Sequence, residues 1–399
     1  MKAKRLSTGM TTIPIMLLAG FGLLLMTPIF VGLAEGFPQG SDPTPKRKAP
    51  SENSAEPNRR RGSPVVDSSP KRTSRRSNVA NQLEQALSRG DAQLEAQHYS
   101  QAQEEYQRAL RLRPNEPRAY TGLGDVSYDL AFYPDAIQAY KKSIRIKPWN
   151  PDAFNGLGNA YFAQQRYPEA IEQYKKAIEL DPKYADPYYN LGLSYYTQQR
   201  YPEAIEQYKK AIEVDPKYAR AYNNLGLSYY TQQRYSEAIE QYKKAIELAP
   251  KYAPAYDNLG DVYSAQQRYP EAIEQYKKAI ELDPKYVSAY HNLGVVYYAQ
   301  QRYPEAIEQY KKAIELDPKH GFAYFAVGSA YHAQQRYPEA IEQYKRAIEL
   351  NPNYDGAHYY LGLAYVYTNN KTAAMEQYEA LKNLKSEYAD KLLSEINKH

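Results

Sequence analysis

The chain has 399 residues, a formal net charge of +5, no cysteine, and 44 tyrosines against 8 phenylalanines and 1 tryptophan. The absence of cysteine excludes disulfides, thiolate metal sites and cysteine nucleophiles. A compact core built mainly from tyrosine would bury many hydroxyls that each need a partner, so the composition favours a thin, elongated architecture. The basic excess lies in residues 1–80, which hold 13 Lys and Arg against 5 Asp and Glu. The rest of the chain is mildly acidic.

Residues 1–34 have the pattern of a membrane anchor. Three basic residues open the chain, and residues 13–34 then form an uncharged, almost wholly apolar run of 22 residues. About 20 such residues cross a bilayer as a helix, whereas the apolar part of a secretory signal is shorter, at about 7–15 residues. The sequence therefore predicts a single-pass anchor with the rest of the chain on the extracytoplasmic side. The alternative is a signal peptide cleaved after Ala34, which would give a secreted or periplasmic protein.

Residues 35–80 are rich in Pro, Ser and Asn and contain four clusters of Lys and Arg. Such a stretch cannot bury enough apolar surface to offset the entropy of ordering the chain. We therefore predict a disordered basic linker between the anchor and the folded part.

A strict repeat follows the linker. Eight prolines are separated by 34 residues each: Pro114, Pro148, Pro182, Pro216, Pro250, Pro284, Pro318 and Pro352. A fixed period between 20 and 50 residues is typical of solenoids and arrays. We therefore treat residues 81–388 as one repeat array.

One repeat has the pattern of two helices. One helical face is formed by Tyr188, Leu191, Gly192 and Tyr195. A second face with helical spacing is formed by Ala204, Ile205, Tyr208, Ala211 and Ile212. Proline suits the first turn of the second helix at position 202, and another at 216 ends that helix. The small residues lie where the two helices should approach most closely.

These positions closely resemble the signature of the tetratricopeptide repeat (TPR). With its predicted anchor, the chain resembles a bacterial, membrane-anchored TPR protein. The signature residues are Tyr188, Leu191, Gly192, Tyr195, Ala204, Tyr208, Ala211 and Pro216. The resemblance implies an all-α, right-handed α-solenoid of about nine 34-residue helical hairpins. Residues 389–399, with an apolar stripe and a charged opposite face, are expected to form a C-terminal capping helix.

The second helix of the repeat is nearly copied along the chain, whereas the first helix varies. In TPR proteins the first helices line a concave groove, so the resemblance implies a diversified peptide-binding surface. The expected groove residues are Asn155, Asn159, Tyr189, Asn190, Tyr196, Asn223, Asn224, Tyr230, Asp257, Asn258, Asp261, Asn292 and Tyr298. Asparagines at 190, 224, 258 and 292 would form a ladder that either grips a peptide, as in O-GlcNAc transferases, or bonds locally.

The sequence contains no phosphate-binding loop, nucleophile elbow or metal-ligand spacing, so we expect neither an enzyme nor a cofactor. The acidic folded part argues against nucleic acid as a partner. The expected function is a scaffold or assembly factor at a membrane that binds neutral or basic segments of other proteins. The alternatives are a self-associating structural array and a secreted envelope protein.

Overall fold

The computed structural model describes the backbone of residues 70–399 and the side chains of residues 77–399. The predicted anchor and most of the predicted linker lie outside these residues. Helix α1 begins at Pro70, within the range 35–80 that was expected to be linker. In the described part of the chain, no helix is long and apolar enough to cross a membrane.

The described residues form two compact units, residues 70–250 and Lys251–His399. The first unit contains α1 (Pro70–Glu95), α2 (Tyr99–Leu112), α3 (Pro117–Asp129), α4 (Tyr133–Ile146), α5 (Pro151–Ala163), α6 (Tyr167–Leu180), α7 (Ala185–Thr197), α8 (Tyr201–Val214), α9 (Ala219–Thr231) and α10 (Tyr235–Leu248). The second contains α11 (Ala253–Ala265), α12 (Tyr269–Leu282), α13 (Val287–Ala299), α14 (Tyr303–Leu316), α15 (Gly321–Ala333), α16 (Tyr337–Leu350), α17 (Asp355–Tyr367), α18 (Lys371–Asn383) and α19 (Tyr388–Lys398). Residues 70–399 therefore contain helices and no strands.

Each odd-numbered helix packs against the even-numbered helix that follows it, which gives nine helical hairpins and the final helix α19. Within each unit, successive hairpins stack, and their first helices also contact one another directly. Among the described helices, the second helices make no comparable contact with one another. The first helices therefore lie on the inner side of each stack. The prediction of an all-α solenoid of nine hairpins is confirmed.

A ring packed on a glycine joins the two helices of a hairpin. The second helices of hairpins one to eight each bury one tyrosine at 0–1% exposure: Tyr106, Tyr140, Tyr174, Tyr208, Tyr242, Tyr276, Tyr310 and Tyr344. Each ring lies on the glycine 16 residues earlier; a Cβ atom at Gly192, for example, would be 2.8 Å from the Tyr208 ring. Only glycine permits this approach, because real Cβ contacts are longer.

The turn inside each hairpin repeats as well. Its central residue has a left-handed backbone, as at Gln165 with φ 59°. The residue that follows in hairpins three to eight is an arginine stacked on a tyrosine of the first helix, such as Arg200 at 4.4 Å from the Tyr195 ring centroid. The same guanidinium pairs with Glu203 at 2.7 Å. Stacking and ion pairing thus orient the second helix at its start.

The last hairpin is closed by α19, which packs on α17 and α18. Leu392 of α19 lies directly against Gly362 of α17, in place of a ring from the next helix. Leu392 and Ile396 are buried, while the lysines of this helix are exposed. The helix covers the apolar end of the stack and turns its charged face to water.

Candidate peptide-binding groove

All thirteen predicted groove residues lie on first helices. Those on the first unit are Asn155 and Asn159 of α5, Tyr189, Asn190 and Tyr196 of α7, and Asn223, Asn224 and Tyr230 of α9. Those on the second unit are Asp257, Asn258 and Asp261 of α11, and Asn292 and Tyr298 of α13. The site is therefore two inner surfaces, each described within its own unit.

An amide network fastens hairpin four to hairpin three in the first unit. Nδ2 of Asn190 donates to Oδ1 of Asn155 at 3.0 Å and to Oδ1 of Asn159 at 3.1 Å. The buried Tyr174 hydroxyl also donates to Oδ1 of Asn159, at 2.9 Å. Nδ2 of Asn155 donates to the Tyr184 hydroxyl at 3.4 Å. These asparagines bond to one another and to tyrosines of the protein itself, which is one of the two roles expected from the sequence.

The amide contact between hairpins five and four has a tyrosine hydroxyl as its acceptor. Nδ2 of Asn224 donates to the Tyr189 hydroxyl at 3.0 Å, and Nδ2 of Asn223 donates to Oδ1 of Asn224 at 3.2 Å. The Tyr189 ring packs 5.1 Å from that of Tyr218. Because Asn223 and Asn224 are each only 4% exposed, these two amides form part of the wall of the groove and are not free clamps.

Carboxyl groups take the place of the amides in the second unit. Nδ2 of Asn292 lies 3.3 Å from Oδ1 of Asp257 and 3.1 Å from Oδ1 of Asp261. The Tyr276 hydroxyl donates to Oδ1 of Asp261 at 2.8 Å. Burial raises the pKa of Asp261 to about 7, and burial together with the charge of Asp261 raises the pKa of Asp257 well above its ordinary value.

Aromatic pairs form the edge of the inner surface beside the hairpin turns. Tyr196 packs on Tyr201 with ring centroids 5.4 Å apart, and Tyr298 packs on Tyr303 at 5.3 Å. Tyr230 and Tyr235 are arranged in the same way at 5.9 Å. Tyr230 and Tyr298 stay partly exposed.

Two histidines on the inner side were not among the predicted site residues. His291 packs on Tyr310 and His320, and His332 packs on Tyr337 and Tyr367. Burial lowers the pKa of His291 to about 3 and that of His332 to about 4, so both rings are neutral at pH 7. In residues 70–399 no group of three or more His, Asp or Glu side chains could hold a metal ion.

The spacing of polar residues could have revealed the amide contacts. Asn190 and Asn292 each follow polar residues 35 and 31 positions earlier, which are the acceptors of their amide groups. The sequence showed the small residues at the helix crossing, but not the tyrosine ring that packs on each glycine.

The stacked hairpins and their amide-lined inner faces define an α-helical repeat protein. The model of the TPR repeat matches residues 158–199 and 260–301, and models of the tetratricopeptide repeat match 87–151, 189–253, 323–389, 285–353 and 241–274. The chain belongs to the tetratricopeptide-repeat family. This membership supports a general role as a scaffold for protein–protein interaction, and the fold is typically non-catalytic.

Solved structures of similar fold include the APC/C heterotetramer Cut9–Hcn1, with 18% identity and a TM-score of 0.52 over 73% of this chain. This chain spans 59% of that one. MamA is 34% identical over 41% of this chain and 95% of its own, with a TM-score of 0.38. YrrB, a TPR protein with an unusual peptide-binding site, is 25% identical over 50% of this chain and 99% of its own, with a TM-score of 0.39. No curated protein sequence matches the chain.

Proposed function

We propose that this protein binds extended segments of partner proteins along the inner faces of its hairpins, at a membrane to which residues 13–34 attach it. One observation carries the proposal. The first helices contain both buried amides, which form the wall of the groove, and partly exposed side chains, which leave the groove open. The partly exposed set comprises Tyr230, Asn258 and Tyr298, together with Asn159, Asn190, Asp261 and Asn292, which also hydrogen-bond to one another in pairs. Amides and tyrosine rings bind peptide groups and apolar side chains without needing a fixed charge.

The charge of the inner faces favours neutral segments over strongly basic ones. The carboxyl groups of Asp125 and Asp261 already accept hydrogen bonds from Tyr140 at 2.7 Å and Tyr276 at 2.8 Å. The raised pKa values of Asp257 and Asp261 also reduce their negative charge near pH 7. A basic segment would therefore meet less attraction than the number of aspartates suggests.

Site-specific photo-crosslinking tests the inner face. A photoreactive phenylalanine analogue at Tyr230, on the inner side of α9, should crosslink partner proteins in native membranes. The matched control is Tyr222 of the same helix, which lies in an outer groove beside Glu240 and Lys244. Crosslinks from position 222 and none from position 230 would move the binding surface to the outside and contradict the proposal.

Self-association is the second candidate function, and a repeated outer groove favours it. One copy, of about 400 Å³, is lined by Tyr222, Glu240, Gln241, Lys243, Lys244 and Glu247. A second, of about 390 Å³, is lined by Tyr256, Glu274, Gln275, Lys277, Lys278 and Glu281. Light scattering across a concentration series distinguishes the two functions, because an array that assembles through these grooves grows in mass as its concentration rises.

The membrane attachment is tested separately. The apolar run at residues 13–34 and the basic residues before it support an uncleaved anchor. Native protein should resist alkaline extraction and retain its first residues on N-terminal sequencing. A mature chain that begins at Glu35 and is recovered in the soluble fraction would establish the secreted alternative instead.

A further inference from the structure

The two units contain the same hydrogen-bond network in two chemical versions. In the first unit, Tyr174 and Asn190 both donate to Asn159. In the second, at positions 102 residues later, Tyr276 and Asn292 both donate to Asp261. Asn155 and Asp257 correspond in the same way as acceptors for the asparagine one hairpin on. The donors are unchanged, and only the two acceptor residues differ.

The change from amide to carboxyl alters the number of hydrogen-bond donors in the network. Asn155 supplies a donor of its own, which goes to the Tyr184 hydroxyl. Asp257 and Asp261 supply none when ionised, yet one amide nitrogen contacts an oxygen of each, so the two carboxyl groups lie close together. Two neighbouring carboxylates, here one buried and one partly buried, repel each other and lose solvation. A proton on the pair removes the repulsion and adds a donor.

The groups around the pair donate hydrogen bonds to it but carry no positive charge. Tyr276 faces it from α12, and Tyr286 faces it from the turn before α13, with Tyr252 nearby. Asn292 of α13 is neutral. No lysine or arginine in residues 77–399 forms an ion pair with Asp257 or Asp261. In this part of the structure, the negative charge of the pair is therefore neutralised by binding a proton.

We propose that Asp257, Asp261 and Asn292 form a proton-dependent clamp between hairpins six and seven, closed while the pair holds a proton and loosened when both carboxyl groups ionise. The clamp joins α11 to α13, two first helices on the inner side of the unit. Its opening would alter the distance between these two helices, and so the surface that the proposed partner segment contacts. This effect on the partner rests on the proposed function, whereas the clamp itself is independent of it.

The direction of the pH effect follows from the two carboxyl groups. Burial raises both pKa values, that of Asp261 to about 7, while unfolded aspartate titrates near 3.8. The folded chain therefore holds protons that the unfolded chain has released. The contribution to stability is present at about pH 4 and is lost as the pH rises through 7.

The double variant Asp257→Asn/Asp261→Asn tests the clamp, because it installs the side chains that hairpin three already uses. Thermal unfolding of the full-length chain is followed at pH 5 and at pH 8. The variant should gain less over the parent at pH 5 than at pH 8, where it should melt about 2–8 °C higher than the parent. A Tm difference that is equal at the two pH values would overturn the proposal.

Two further measurements guard against indirect effects. The reciprocal variant Asn155→Asp/Asn159→Asp should acquire the same loss of stability at high pH in the first unit. Hydrogen exchange of the parent, corrected for the intrinsic pH dependence of exchange, should show faster opening at pH 8 in α11 and α13 than in α5 and α7. Uniform opening of all four helices would contradict a local clamp. Partner binding is measured separately, so loss of the proposed function would leave these results intact.

Discussion

A Cβ atom at Gly294 would lie 2.5 Å from Cε1 of Tyr310. This relationship between a glycine of the first helix and a tyrosine of the second recurs in hairpins one to eight. It sets how closely the helices of a hairpin approach.

Gly294→Ala should destabilise the second unit by about 1–3 kcal/mol, because the added methyl group forces the buried ring or the helix to move. Gly321→Ala is the control in the same unit, since its Cβ would meet only Leu350 Cβ at 3.6 Å and Ala347 O at 3.8 Å. That control should stay within about 1 kcal/mol of the parent. Urea denaturation measures both variants, and equal losses would show that the ring does not limit the approach.

Asn190→Ala should cost about 1–3 kcal/mol, because Asn155 and Asn159 each lose a donor in a partly buried setting. The isosteric Asn190→Asp should cost more at pH 7 and recover at acid pH, since an ionised carboxylate would face two carbonyl oxygens. Calorimetry gives the stability of each variant, and isothermal titration gives its affinity for the crosslinked partner. Loss of affinity at unchanged stability would instead assign Asn190 to the ligand alone.

The hairpin turns offer a stabilising substitution. Ala131 has φ 61°, a left-handed conformation that strains a residue with a Cβ atom. Ala131→Gly should therefore raise the stability of hairpin two by up to about 1 kcal/mol, and Gln165→Gly, at φ 59°, should act similarly. Ala136→Gly, inside α4 and fully buried, is the control and should lower it. If all three lower the melting temperature, the turn conformation is not a source of strain.

The two buried histidines predict an effect of acid opposite in direction to that of the carboxyl pair. The pKa of His291 is lowered to about 3 and that of His332 to about 4, against 6.5 when unfolded. Unfolding therefore takes up protons below pH 6.5, and stability falls as the pH drops from 6.5 towards 4.

Substitutions borrowed from neighbouring hairpins test this effect. His332→Tyr and His291→Asn install the residues found at positions 298 and 223, and together they should reduce the fall in melting temperature between pH 6.5 and 4. His98→Gln, at an exposed position, should leave that fall unchanged. An unaltered slope in the double variant would mean that other groups control acid unfolding.

The fold could be predicted from the sequence because the information is local and repeated. The proline register, the small residues Gly192 and Ala204, and the copied second helices each specify one hairpin, and repetition of the hairpin specifies the stack. The apolar stripe that ends in Ile396 likewise identified the final helix as one that packs on a single face. These features depend on helical period and residue size, which a single sequence shows directly.

The inner surface was predicted only as a set of positions. Helical periodicity placed Asn190, Asn224 and Asn292 on the first helices, but it could not say whether their amides face a ligand or a neighbour. The partner of each amide depends on distances between residues that are 31 or 35 positions apart in the sequence. These residues come together only when the hairpins stack. The stacked structure directs these donors into the preceding hairpin.

The titration behaviour was also decided by tertiary structure. Asp257 and Asp261 were expected to be groove charges, because the resemblance places the variable residues of the first helices in the groove. Stacking buries Asp257, partly buries Asp261 and places both against Asn292, and desolvation then raises their pKa values. The sequence by itself determined which residues recur and which helix each occupies. Burial and the pairing of donors with acceptors were determined only by the stack, because both depend on what the next hairpin brings into contact.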